Sequence, residues 1–167
     1  MATAPASSLS LSRGYLRAML AASTVLRSWL GVASAEAVLA KIHDVALPST
    51  VDPATARPFV LIWPATEDGY GRTPNAAGSS SASGAWMVAL EESVSASAEA
   101  GAAMLAFEDW CAAIVDSLMA LALSQTAGYL AGSAVSLVDG PYRGHPDDEK
   151  VQGRHQVGVL RIDWEGM

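Results

Sequence analysis

Between Ala102 and Leu123 the chain carries an apolar stripe that only a broad partner surface can cover. Met104, Phe107, Cys111, Ile114, Val115, Leu118 and Leu121 recur at three- and four-residue spacing, the period of one helix face. Glu108, Asp109 and Asp116 fall largely off it. A helix this long needs a packed layer beneath it, and the flanking segments supply strands.

Phe59-Val60-Leu61-Ile62-Trp63 is a β-branched and aromatic run ending at Pro64, which reads as a buried strand. From Trp86 to Val94, Trp86, Val88 and Leu90 alternate with Met87, Ala89 and Glu91. Tyr129 to Asp139 reads as a third strand, with Val135 and Leu137 on one face. Val157 to Trp164 reads as a fourth, with Leu160, Ile162 and Trp164 on one face and Val159, Arg161 and Asp163 on the other.

Two helical patterns precede the strands. Ser10 or Ser12 caps a helix running to about Leu30, with Leu16, Met19, Leu20, Val25, Leu26, Trp29 and Leu30 inward and Gly31 as its C-cap. Ser34 begins a shorter pattern with Val38, Leu39 and Ile42 inward. Pro48 and Pro53 close it, and 48–57 reads as extended. The order α-α-β-β-α-β-β predicts an α+β fold: a mostly antiparallel four-stranded sheet packed on one face by helices. Residues 1–167 form a single domain, with a flexible N-terminal arm (1–10) and long loops at 64–84 and 139–156.

Net charge is −7 and the sequence pI about 4.8, which disfavours binding to nucleic-acid phosphates. Cys111 is the one cysteine, so an internal disulfide and a thiolate metal cluster are excluded, and a reducing compartment is expected. No apolar run reaches the ~18 residues of a membrane span. Arg13 and Arg17 before Ala18–Ala22, with Val32-Ala33-Ser34-Ala35 beyond, have features of a secretion signal. Arg27 interrupts the apolar stretch, so an amphipathic helix is the better reading.

Chemistry-bearing residues do not assemble into a motif. Cys111 lies in an apolar helix stripe and reads as core. Among His43, His145 and His155, only the last two could share a site, beside Asp147, Asp148 and Glu149, at no metal-ligand spacing. Glu91-Glu92 and the 147–149 acids read as solvated faces, and Gly69-Tyr70-Gly71 lacks the helix and lysine of a phosphate loop. The chain is therefore expected not to be an enzyme, with no catalytic, cofactor-binding or metal residues and no cofactor. The tryptophans read first as core and second as interface anchors. Candidate interface residues are Trp63, Trp86, Arg143, Asp147, Asp148, Glu149, Arg161 and Asp163.

Several segments together resemble a family. An N-terminal helix with Leu26, Trp29 and Leu30 leads to Ala40 and Ile42-His43. Arg57-Pro58-Phe59-Val60 enters a strand, and a long loop precedes the strand from Trp86. The long helix to Leu123 precedes a strand ending in Asp139-Gly140-Pro141, and a final strand runs from Gln156 to Gly166 through Trp164. In this order the chain resembles the tail-terminator and tail-completion (neck) proteins of tailed bacteriophages. The resemblance implies a ring of identical subunits, usually six, that caps the finished tail tube and offers a surface to the head-side connector or stopper protein. It implies a virion protein assembled in the host cytoplasm, whose only dealing with DNA is as cargo passing through the lumen. Within that class the alternative is a head-completion or stopper protein. Outside it stand a small adaptor domain with an ordered 64–84 loop over a pocket, an enzyme with a site near His145 to His155, and a secreted protein beginning near Glu36. The ring reading predicts that 64–84 and 139–156 order on assembly, and the strand faces predict that Trp164 packs against the long helix.

Overall fold

The computed structural model describes residues 7–65, 70–74, 80–94, 100–125, 128–143 and 155–166, the side chains of 72–74, 80, 100 and 141–143 excepted. Ser7 opens the first helix, α1 (Ser8–Ala22), through a reciprocal capping box with Ser10. The single helix expected to reach Leu30 divides at Ser23, which ends α1 and caps α2 (Thr24–Leu30) by accepting from the Leu26 N–H at 3.1 Å. The apolar period runs through the break, because both pieces lie on the same core. Gly31 closes α2 in the left-handed region at φ 67, as expected of that C-cap. Ser34 caps α3 (Ala35–Ala40), and a short α4 (Pro53–Ala56) lies within the stretch expected to be extended, started by Asp52 and by proline in its first turn.

The fold is α+β, but the sheet is mixed and larger than the four antiparallel strands expected. Five strands lie in the order β1-β2-β4-β6-β5, and β3 joins β4 beside β2. They are β1 (Ile42–Asp44), β2 (Phe59–Pro64), β3 (Gly71–Pro74), β4 (Ser80–Ser93), β5 (Val135–Arg143) and β6 (His155–Gly166). β1 runs parallel to β2, pairing Ile42 with Val60, so Ile42 is a strand residue and not the last of a helix. Three residues are too few to display an alternating period.

β3 and the early start of β4 take 71–74 and 80–84 out of the expected 64–84 loop. Ser80 to Ala85 carries no apolar alternation. It is held by backbone ladders, Ala82 pairing with Arg72 of β3 and Gly166 of β6. β5 starts at Val135, not Tyr129. Residues 128–132 are instead a turn, with Gly128 and Gly132 at φ 107 and 69 and the Gly132 N–H bonded to the Ala122 carbonyl. β5 runs on past Gly140-Pro141 to Arg143, with register shifts on either side of Asp139. β6 begins at His155, so the 139–156 loop also loses both its ends to strands.

The expected strand faces are correct. Trp86, Val88, Leu90, Leu160, Ile162 and Trp164 are each 3% exposed or less and share one core with Leu16, Leu26, Phe107, Cys111, Ile114 and Leu118 of the helices. Removing that much apolar surface from water is the main force holding the layers together. α5 (Ala100–Ser124) lies so close to β6 that a Cβ on Gly158 would stand 2.7 Å from Cys111 Sγ. Trp164 lies against Gly84, and the rings it meets are Tyr129 and Tyr70, at centroid distances of 5.7 and 6.2 Å.

Candidate functional site

The other face of the sheet carries Trp63, Arg161 and Asp163 of the expected interface residues. On it Ala89, Val157 and Val159 are buried, with Leu61, Trp63 and Met87 half-buried around them. This placement follows from strand alternation, since these positions are out of phase with Val60, Val88 and Leu160. Two ion pairs sit among them. Arg57 Nε lies 3.5 Å from Glu91 Oε2, both largely buried, and Arg161 Nε donates to Asp163 Oδ1 at 2.9 Å. Among the described residues Arg57 Nε has no aligned hydrogen bond, so its contact with Glu91 is electrostatic.

Where β6 outruns β5, an open cavity of about 440 Å³ is lined by Ser83, Gly84, Gly132, Ser133, Arg161 and Asp163 among others. Trp164 also borders it. Ser133 Oγ and Trp164 Nε1 are buried polar atoms without a hydrogen-bond partner among the described residues. Both are closed to solvent, so neither presents itself to a molecule entering the cavity.

The candidates therefore divide. Trp63, Arg161 and Asp163 come together on the outer sheet face. Trp86 does not: its ring is 1% exposed beneath α1, its indole N–H donates to Ser12 Oγ at 3.0 Å, and Arg13 lies over it. A tryptophan so placed fills the core and meets no partner. Arg143 is placed only by its backbone, paired with Gln156. Asp147, Asp148 and Glu149, with His145, lie outside the described residues.

The titratable groups near the core serve structural pairs. Trp29 Nε1–H donates to Glu92 Oε2 at 2.8 Å, and Gln156 Nε2–H donates to the Ala103 carbonyl at 3.2 Å and, more weakly, to Glu92 Oε1 at 3.4 Å. Burial pushes the Glu92 carboxyl above its ordinary value, and the Trp29 bond partly opposes this. Burial pushes the Cys111 thiol up to about 12, with Glu92 and Glu108 adding to it, so the sulfur is a neutral thiol at physiological pH. Burial, then Arg17 and Lys41, hold His43 below its ordinary value against the pull of Asp44. Among the described residues no three His, Cys, Asp or Glu side chains converge as a metal site requires, and no helix is long and apolar enough to cross a membrane.

Sequence reasoning missed two surface features. One is the outward side of α5, where Leu105, Trp110 and Leu123 are exposed beyond the expected stripe. Only Glu108, Asp109 and Asp116 of its 25 residues are charged, so the exposed sides of the helix hold them among alanines and these three apolar residues. The other is Val45, exposed and at φ 64, which no local pattern announces. No protein-family model matches the chain, and no curated protein matches it.

Proposed function

We propose that this chain is a structural protein of the neck of a tailed bacteriophage, acting as a tail terminator. Copies of the chain close into a ring, with six subunits as the expected number, on the end of the tail tube. The ring stops further tube subunits from adding and presents its other side to the head-side connector. The action is steric, and no bond is made or broken. The observation that carries this reading is the exposure of Trp110 on α5, with Leu105 and Leu123 exposed elsewhere on the same helix, since aromatic side chains are favoured as interface anchors. The order of elements quoted above supports it, as does the engagement of Arg57, Glu91, Glu92, Arg161 and Asp163 in structural pairs. The net charge of −7 suits a lumen along which DNA slides without sticking.

One observation favours a second reading, a small adaptor domain. Residues 71–74 and 80–84 form strands within the single chain, and Ser83 and Gly84 border the open cavity. The decisive experiment is the mass of the full chain by light scattering, with negative-stain images, alone and with tail-tube protein. Closed rings that seat on tube ends and stop elongation support the terminator. Rings that bind connector and ignore tubes indicate the stopper role. A monomer that binds neither overturns the virion reading and leaves the adaptor.

A further inference from the structure

The two edges of the sheet, β1 and β5, are finished differently. On β1 the Lys41 carbonyl accepts from the Val60 N–H, and the Val45 N–H donates to the Ile62 carbonyl, each at 2.9 Å. Backbone groups alternate sides along a strand, so those of Ile42 and Asp44 turn away from β2. Both outward carbonyls are taken. That of Ile42 accepts from Arg17 Nη1 at 3.3 Å, and that of Asp44 from the Ala46 N–H at 2.7 Å. Val45, at φ 64, turns the chain aside. The β1 edge is closed to a further strand.

β5 has no such cover over its first residues. The Ala134 carbonyl accepts from the Asp163 N–H at 3.1 Å, and Val135, Ser136 and Leu137 follow in regular register with Ile162, Arg161 and Leu160. By the same alternation Ser136 turns to β6, while Val135 and Leu137 turn outward. Among the described residues their outward groups take no backbone bond. Leu137 is 37% exposed, although it shares the α5 face with the buried Val135. Beyond it the edge is broken by register shifts on either side of Asp139, by Gly140 at φ 78 and by Pro141. The open segment is therefore residues 135–137.

Every copy of the chain carries this segment, and it is complementary to itself. We propose that two copies join their sheets by antiparallel pairing of β5 about a two-fold axis at Ser136. Val135 then faces the second copy's Leu137, and Leu137 the second copy's Val135, so each such pair exchanges both N–H···O bonds. On the α5 face a valine covers the exposed part of each Leu137, and on the other face Ser136 meets its copy. Asp139 lies past opposite ends of the paired segment in the two copies, so the acids do not meet. α5 lies over β6 at Gly158. Three strand spacings of ~4.8 Å separate β6 from its copy, which sets the two α5 helices about 14 Å apart, beyond the roughly 8–10 Å of packed helices. Neither their bulk nor their acids oppose the pairing. The closed β1 edge cannot replace β5 in this contact, so it is isologous and ends with two copies. A contact this small is weak. It joins pairs of subunits and does not rest on the ring reading.

The test follows backbone amide exchange of the full chain in dilute and in concentrated solution, beside its mass by light scattering. Mass is expected to rise towards that of a pair. The Val135 and Leu137 amides should slow only in the concentrated sample, while Ser136, turned to β6, is slow in both. Leu137→Pro removes an N–H that only the second copy uses, so it is expected to weaken association about tenfold or more and leave the single chain folded. If that chain does not fold, Leu137→Lys, a charge on the same edge, takes its place. A chain that stays monomeric when concentrated overturns the pairing. So do Val135 and Leu137 amides that exchange alike in both samples, or variants that associate like the parent. Rings that form with these amides unprotected overturn the pairing and leave the ring reading standing.

Discussion

Gly158 is the position where adding one carbon tests the packing of the two layers most sharply. It lies on β6, opposite Leu90 of β4, and faces α5. A Cβ there would stand 2.7 Å from Cys111 Sγ, with Phe107 Cε1 and Cζ at 3.7 Å. Ordinary contact is about 3.5–4.0 Å, so the intrusion is roughly 1 Å. β6 is held by β4 on one side and β5 on the other, so its backbone has little room to retreat. Overpacking of this kind costs about 1–3 kcal/mol. For a chain of this size that corresponds to a fall in Tm of roughly 2–12 °C. Cys111→Ala alone removes a fully buried sulfur and is expected to cost about 1 kcal/mol. Combined, the two changes fill each other's space, so the double variant should recover about 1–2 kcal/mol relative to the sum of the singles. Urea unfolding followed by tryptophan fluorescence, extrapolated linearly, measures all four corners of the cycle. A Gly158→Ala chain as stable as the parent, or one that Cys111→Ala does not relieve, would refute the close approach of α5 to β6.

Two further substitutions probe buried polar groups. Ser23 is fully buried, caps α2 through Leu26 and lies 2.9 Å from Ser117 Oγ, so Ser23→Ala should cost about 1–2 kcal/mol in the same unfolding assay. A neutral result would mean that the division of α1 from α2 does not depend on this side chain. Glu92 gives a pH signature. Burial raises its carboxyl pKa in the fold, so its favourable contribution is fully present below the unfolded value and is lost as pH rises through the folded one. Glu92→Gln keeps an acceptor for the Trp29 indole and removes the buried charge. The variant should therefore be at least as stable as the parent at pH 7, with the parent gaining on it as pH falls through the carboxylate range. Unfolding free energies of the two chains across that range check this, and a parent whose relative advantage grows towards neutral pH contradicts it.

The elements legible in the sequence are those whose burial imposes a period. α5 was readable because Phe107, Cys111, Ile114 and Leu118 must all meet the sheet, and β6 because Leu160 and Ile162 alternate with Val159 and Arg161. The illegible elements are held by something other than side-chain burial. The first part of β4, serines, alanines and a glycine with little strand preference, persists through backbone pairing with β3 and β6, and β3 itself is only the four residues Gly71–Pro74. β1 is too short for a pattern, and its parallel pairing is a property of the chain's path through α4 and not of its residues. The division at Ser23 was hidden because helix pieces on either side keep their apolar residues on one core.

The candidate surfaces follow the same logic with its sign reversed. Trp86 reads as core first and interface second because aromatic residues suit both, and only its position beneath α1 decides for the core. Leu105 and Leu123 go unannounced because a strong inner stripe satisfies the search for a helix face, and isolated apolar residues off it add nothing to that period. A soluble helix that packs only once is expected to charge its outer side. α5 does so only with the acids Glu108, Asp109 and Asp116 and leaves Leu105, Trp110 and Leu123 exposed among alanines, so its outer side is mixed and carries no period of its own that would announce it.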